Sequence, residues 1–202
     1  IAGELNGKGV VGVAPKARLY AVKVLDKDGN GSLTGIIKGI VWCAKHDIQV
    51  ANMSLGTSRS SFFMHLALKY AKSKHVIVVA AAGNGDGGPV EYPGAYTDAV
   101  ITVAASDLWD HFAPFSSRGS QVQFIAPGVY IKSSVPGPLR YDFYQGTSMA
   151  TPHVSGLAAL AVSRGARDLE GVRAALKRAS KSIGLKTQEE GAGMIDAALL
   201  AR

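Results

Sequence analysis

The stretch Val76-Ile77-Val78-Val79-Ala80-Ala81-Ala82, closed by Gly83-Asn84-Gly85, decides the fold class of this 202-residue chain. Seven consecutive apolar residues, the first four β-branched, are too few for a helix of usual length and read as a strand. With no polar alternation, that strand is expected to be buried on both faces. Working outward, Val100–Ala105 repeats the pattern, and Arg18–Leu25 and Gln49–Ser54 also read as strands. Between them, Leu33–His46 and Ser61–Ser73 carry helical patterns of ten residues or more. This alternation predicts an α/β fold, a mostly parallel sheet flanked by helices on both faces. Beyond it, Val122–Tyr144 reads as short extended pieces broken by Pro127, Pro136 and Pro138. Helices are expected again at Ser148–Ser163, Asp168–Lys181 and Gly193–Ala201. Neither a repeat nor a linker interrupts the chain, so residues 1–202 read as one domain, entered part-way through.

Composition narrows the function classes. Hydrophobic residues are 47% and charged residues 18%, the balance of a chain with a real core. No run approaches the ~20 apolar residues of a membrane span. The net charge of +7 gathers late, at Arg164, Arg167, Arg173, Lys177, Arg178, Lys181 and Lys186. These lie on helical stretches without interleaved aromatics, which favours a solvated helix face over a nucleic-acid surface. Cys43 is the single cysteine, so no internal disulfide forms, and its apolar flanks read as a small buried residue. The opening Ile1-Ala2-Gly3-Glu4-Leu5 has no Met and looks like the inside of an element, which points to processing or truncation upstream.

Sites in open parallel sheets lie outside the carboxyl ends of the strands. Three loops there carry unusual chemistry: Asp26–Gly31, Ser54–Gly56 and Gly83–Gly88. The most informative segment lies later, at Gly146-Thr147-Ser148-Met149-Ala150-Thr151-Pro152-His153. Thr147 or Ser148 opens a helix, where unpaired backbone N–H groups can stabilise a developing oxyanion. On its own, such a segment reads first as an ordinary N-cap. If Ser148 is a nucleophile, residue order matters. The only histidine after it is His153, one helical turn on, so the hydrolase order with acid and His downstream fails. The order Asp, His, Ser would place both partners before Ile1.

The segment Gly146–Val154 resembles the serine motif of the subtilisin-like serine proteases (subtilases) with no mismatch in its core. Seven further stretches resemble family motifs in family order. They are Gly12-Val13-Ala14-Pro15, Leu19–Leu25, Asn52-Met53-Ser54-Leu55-Gly56, Ala81-Ala82-Gly83-Asn84, Tyr92-Pro93, Phe115-Ser116-Ser117-Arg118-Gly119 and Ala126-Pro127-Gly128. The similarity runs from Ile1 to the last helical stretch and corresponds to the C-terminal two-thirds of the fold.

The resemblance implies a serine endopeptidase in which Ser148 attacks the scissile carbonyl. Asn84, otherwise a turn-forming Asn before a glycine, would donate to the oxyanion beside the Ser148 N–H. An extended polypeptide substrate would lie between Gly29-Asn30-Gly31 and Ser54-Leu55-Gly56, with Leu25, Leu33 and Leu55 as apolar walls. Ala81, Ala82 and Gly83 would line the primary pocket. Glu91 would stand at its base, favouring a basic residue before the cut, unless it is a solvated loop side chain. Met149, beside the nucleophile, would be open to oxidation if exposed.

A calcium loop is implied at Glu4–Val10, with the Asn6 side chain and the carbonyls of Glu4, Lys8 and Val10 as donors. The family's carboxylate ligand would come from upstream. Asp26–Gly31 imitates the start of an EF-hand loop, but Ile37 stands at the twelfth position, so a turn is the better reading. The family's weaker second ion site reads as eroded, because Gln121 and Gln123 stand where acids are often found.

No Asp-Ser-Gly, Asp-Thr-Gly or Gly-Thr-His occurs, and none of His46, His65, His75, His111 and His153 matches the family's general base. The alternative is therefore a catalytically incomplete peptide-binding remnant, with an unrelated hydrolase a weaker third. The chain's own N-terminal segment or a propeptide is an expected partner, and secretion is expected from the resemblance alone.

Overall fold

The computed structural model describes residues 1–200. In chain order these form α1 (Leu33–Lys45), β1 (Val50–Met53), α2 (Phe62–Ser73), β2 (Ile77–Ala81), β3 (Val100–Ser106) and β4 (Phe124–Pro127). A hairpin of β5 (Ile131–Ser134) and β6 (Tyr141–Tyr144) follows, then α3 (Thr147–Ser163) and α4 (Leu169–Arg178). The described chain closes with β7 (Ser180–Lys181), α5 (Thr187–Glu190), β8 (Met194–Ile195) and α6 (Ala197–Leu200). Helix starts follow local chemistry: Ser32, Ser61 and Asp168 each accept a backbone N–H from the first turn of α1, α2 and α4.

Six strands form one sheet in the order β1-β2-β3-β4-β8-β7, parallel throughout except where β7 runs antiparallel to β8. Successive side chains of a strand point to opposite faces, and both faces here are covered. Ile77 and Val79, with Ile101 and Val103, pack into the core with residues of α3 and α4. Val76, Val78 and Ala80 pack into a second core with residues of α1 and α2. That is why the 76–82 run shows no polar alternation. All five residues of β2 are buried, and each large side chain so buried contributes about 1.5–3 kcal/mol.

α3 runs across the sheet, and its small residues let it sit close. Ala150, Gly156, Ala158 and Ala161 are buried, and a Cβ at Gly156 would lie 2.7 Å from Val13 Cβ.

Three expectations are corrected. Arg18–Leu25 is not a strand, because no ladder forms along it. It is separated from β1 by a cleft of about 530 Å³, lined by Arg18, Tyr20, Val50, Asn52 and Ser155. The cleft continues into one of about 200 Å³ between Val22, Val24 and Met53. Strands pair only at ~4.8 Å, so an intervening cleft leaves both edges unbonded. The expected helix Asp168–Lys181 stops at Arg178, and Ser180–Lys181 pairs as β7 instead. The expected helix Gly193–Ala201 is only Ala197–Leu200, because Met194–Ile195 joins the sheet as β8; Ala201 lies outside the described residues. Gly193 makes that insertion possible: its φ is +106°, and a Cβ there would lie 2.2 Å from Lys181 O.

Candidate active site

α3 begins where β1 and β2 end, at the carboxyl edge of the sheet. Ser148, half-buried, is the second residue of this helix. Its N-cap, Gly146, has no side chain to accept from the first turn; Met149 N bonds Gly146 O at 2.9 Å, and Ser148 N has no acceptor among the described residues.

Asn84 follows β2. Its Oδ1 accepts from Thr147 N and from Thr147 Oγ1, both at 3.0 Å. The backbone N–H can only donate, so this atom is fixed as the oxygen, and both Nδ2 protons are left facing outward. Thr147 Oγ1 accepts in turn from Gly83 N at 3.3 Å. Thr147, 1% exposed, is therefore the clamp that aims Asn84.

Gly146 completes this side. Its φ is +143°, and a Cβ there would lie 3.4 Å from Asn84 Nδ2 and 3.7 Å from Ser148 N. Any side chain would stand over both donors. Sequence reading singled out Asn84 and Ser148 but not the roles of Gly146 and Thr147. The signal was a Gly-Thr pair directly before the candidate nucleophile.

The other side of Ser148 faces β1. Ser54 Oγ donates to Ser148 O at 2.8 Å and accepts from Asn52 Nδ2 at 2.9 Å. Ser155 Oγ, about two helical turns further along α3, donates to Asn52 Oδ1 at 2.8 Å. Ser148 Oγ itself has only a 3.4 Å approach to Ser54 O, at the edge of hydrogen-bond range. A carbonyl accepts a proton bond but cannot remove the proton.

None of the five histidines hydrogen-bonds Ser148. His153 Nδ1 lies 2.9 Å from Met149 O, and burial holds its pKa below the ordinary imidazole value. His46 stacks on Trp42, His65 pairs with Asp98, His75 sits in a turn at φ +62°, and His111 pairs with Asp107. Cys43 is buried, which raises its thiol pKa, in keeping with a packing role.

Of the expected substrate residues, Ser54 bonds Ser148 O, Gly83 bonds Thr147, and the Glu91 carboxylate lies between Gly56 and Gly83, where a Cβ would stand 2.2 and 2.7 Å from it. Ala81 and Ala82 are 3% and 0% exposed, so only their main chain can face a ligand. Leu55 packs on the α1–α2 core rather than standing free. Gly29, Asn30, Gly31 and Leu33 are exposed before and at the start of α1. The Asp26 loop is a self-closed turn, with Asp26 Oδ1 accepting from Asp28 N and Asn30 N at 2.9 Å.

The loop expected to hold calcium, with Glu4, Asn6, Lys8 and Val10 as donors, offers oxygens but no cluster of carboxylates. Asn6 Oδ1 accepts from Lys8 N, and Glu4 O accepts from Asn6 N, both at 3.1 Å, and each oxygen keeps a second lone pair. Among the described residues no group of three or more His, Cys, Asp or Glu could hold a metal ion. Calcium takes six to eight oxygens, so this loop does not make a site by itself.

Gln123 has a different partner. Its Oε1 accepts from Arg173 Nε at 2.9 Å, while Arg173 Nη2 reaches Val100 O at 2.7 Å and also Thr97 O. Glu170 closes the ring at 2.9 Å. A guanidinium thus satisfies the carbonyls at the start of β3.

Among the described residues, no helix is long and apolar enough to cross a membrane. A family model described as the Subtilase family matches residues 1–194. The chain is 42% identical over 203 residues to alkaline elastase YaB of Bacillus sp. (strain YaB), covering 100% of this chain and 53% of that protein. It is 41% identical to Subtilisin Savinase of Lederbergia lenta, covering 100% of this chain and 74% of that protein. Among solved structures, that of a lanthipeptide protease is similar with a TM-score of 0.84 at 24% identity, over 93% of this chain and 71% of that one. That likeness speaks for the fold. The chain thus spans about half the length of the elastase.

Proposed function

This chain belongs to the subtilase family, and from that premise we propose that it is the nucleophile- and oxyanion-bearing part of a serine endopeptidase. The observation that carries the reading is the geometry at Ser148. Two donors, Asn84 Nδ2 and Ser148 N, border the same space, 3.4 and 3.7 Å from where a Gly146 Cβ would stand, and Thr147 holds the first in place by two 3.0 Å bonds.

In the reaction, Ser148 Oγ adds to the scissile carbonyl and its proton passes to a base. The carbonyl oxygen gains negative charge between the two donors. Collapse expels the amine, which takes up a proton, and leaves an acyl group on Ser148; water then releases it. The base and its orienting carboxylate would come from polypeptide outside these 202 residues, the chain's own N-terminal segment. The cleft between Arg18–Val24 and β1 supports this reading, since an added strand there would pair both unbonded edges. A propeptide is a further partner of the same kind. The substrate would be an extended polypeptide along Ser54-Leu55-Gly56 and Gly29-Asn30-Gly31, bound through its main chain. Export from the cell is proposed from the relatives alone. A calcium ion at the 4–10 loop would require carboxylates from outside the chain.

A second reading, a non-catalytic peptide binder, is favoured by one observation: the Ser148 hydroxyl has no base among its partners. Labelling with a fluorophosphonate, followed by denaturing intact mass, separates the two. The peptidase reading expects an adduct on the Ser148-bearing chain whenever an Asp- and His-bearing segment is present, and none with Ser148→Ala. Saturable peptide binding with no adduct under any of these conditions would leave the binder.

A further inference from the structure

We propose that the turn 97–100 is a cation-binding site whose resident cation is the guanidinium of Arg173, and that a metal ion enters it only when that side chain is removed. None of the residues that build it belongs to the candidate active site, so the inference stands apart from the peptidase reading.

The turn gathers carbonyls. Ala99 N and Val100 N both donate to Tyr96 O, at 2.9 and 3.1 Å, which closes the chain just before β3. Three oxygens of the closed turn are then each bonded by a cationic side chain. Arg173 Nη2 donates to Val100 O at 2.7 Å and to Thr97 O, and Lys72 Nζ donates to Asp98 O at 2.8 Å. Carbonyl oxygens drawn together over so short a span are what a hard cation seeks.

The guanidinium is enclosed on every side that carries a proton. Besides the two turn carbonyls, its Nε donates to Gln123 Oε1 at 2.9 Å, and its Nη1 to Glu170 Oε1 and Oε2 at 2.9 and 3.2 Å. The Arg173 side chain is only 19% exposed. A charge so far out of water needs its surroundings to replace the lost solvation, and these oxygens do so. Glu170 lies between the two cations, 3.0 Å from Lys72 Nζ, and offsets part of their charge.

Gln123 is matched to this occupant. Its backbone N–H donates to Thr102 O at 3.0 Å, which anchors it beside β3. Its Nε2 donates to Val100 O at 3.0 Å while its Oε1 faces Arg173. An acid at this position would set an oxygen against Val100 O with no proton between them, whereas the amide supplies both polarities. The second ion site expected from the family therefore does not fit a metal in this chain, because a side-chain cation already takes its oxygens. A guanidinium keeps its charge in proteins, and a chelator cannot extract it.

Hydrogen exchange of the full chain tests this at the amides of Ala99, Val100 and Ile101, read relative to Val78 and Val79 in β2 so that a metal held elsewhere cancels. In the unaltered protein, relative exchange should be the same in EDTA and in CaCl2. In Arg173→Ala it should quicken about tenfold or more in EDTA. CaCl2 should reverse most of that change, and tetramethylammonium chloride at equal ionic strength should not. Exchange that quickens with EDTA in the unaltered protein would mean that a metal already holds the turn, and overturns the inference. So does an Arg173→Ala protein that exchanges like the unaltered one, or whose loosened turn ignores calcium. If Arg173→Ala does not fold, Arg173→Gln removes the charge while keeping bulk and is held to the same calcium response. Arg173→Lys, which keeps the charge, should exchange at an intermediate rate and stay indifferent to calcium; a full calcium response there overturns the role given to the charge.

Discussion

The two flanks of Ser148 are built to different degrees of completion. On the β2 side, Gly83, Asn84 and Thr147 form a closed set of hydrogen bonds over a fully buried strand, and Gly146 leaves the space above Asn84 open. On the β1 side, Asn52 and Ser54 steady the helix backbone, but the sheet edge is bare and a cleft of about 530 Å³ lies next to it. The difference teaches that the two halves of serine chemistry are separable in a fold. Stabilising an oxyanion needs only fixed dipoles, which a strand end and a helix start provide. Activating the hydroxyl needs a base, and none stands among the partners of Ser148 Oγ.

The largest expected effect comes from breaking the closed flank. Asn84→Asp keeps an oxygen for Thr147 to bond but replaces the Nδ2 donor with an acceptor. In the complete enzyme kcat should fall about 10²–10³-fold or more, equivalent to ~2.7–4 kcal/mol, with KM changed little. Steady-state kinetics checks this, and an undiminished kcat would mean that the oxyanion forms elsewhere.

A smaller effect tests whether the closed flank owes its order to β3. Arg173→Met strips a charged donor from Val100 O, Thr97 O and Gln123 Oε1 and frees Glu170. A loss of about 2 kcal/mol is expected, read from urea unfolding. Amide exchange should quicken in β3 and leave β1, already at the open edge, little changed.

The smallest effect concerns pH. Burial lowers the His153 pKa, so the unfolded chain binds a proton that the folded chain refuses. Stability from this group is full above the ordinary imidazole range and is lost as pH falls through the lowered folded value. Melting temperature should therefore decline on mild acidification, and the slope should flatten in His153→Gln. An unaltered slope would take the decline away from His153; a carboxylate such as Glu170 acts lower. There the hydrogen bond from Lys72, then the charge and hydrogen bond of Arg173, keep the pKa low, so its contribution is lost only at more acid pH.

Most of the fold was legible because its strands declare themselves. A run such as Val76–Ala82 has one stable home, between two helical layers, and Ser32, Ser61 and Asp168 mark helix starts chemically. The misreadings share one cause. Arg18–Leu25 has strand composition but no bonded neighbour, and Met194–Ile195 has little strand signal but is captured by Ile125 of β4. In both, pairing is decided by what lies alongside rather than by the residues themselves. The site divides in the same way. Ser148 and Asn84 stand in recognisable stretches, whereas Thr147 as clamp and the bare glycine walls around Glu91 emerge only from contacts between distant segments.

By itself the sequence determined the layered α/β class, the positions of its main helices and strands, the family, and the placing of a serine at a helix start. Those follow from local periodicity, capping chemistry and contiguous motifs, all of which act within a dozen residues. Only the tertiary structure decided that Asn84 points its donor outward, that Gln123 faces Arg173, that Arg18–Leu25 stands off from the sheet, and that the Glu91 carboxylate lies between Gly56 and Gly83. The physical reason is range: a hydrogen bond or a steric gap acts over a few ångströms, and the residues that share it are 35 to 94 positions apart in pairs such as Ser61–Tyr96 and Ser54–Ser148.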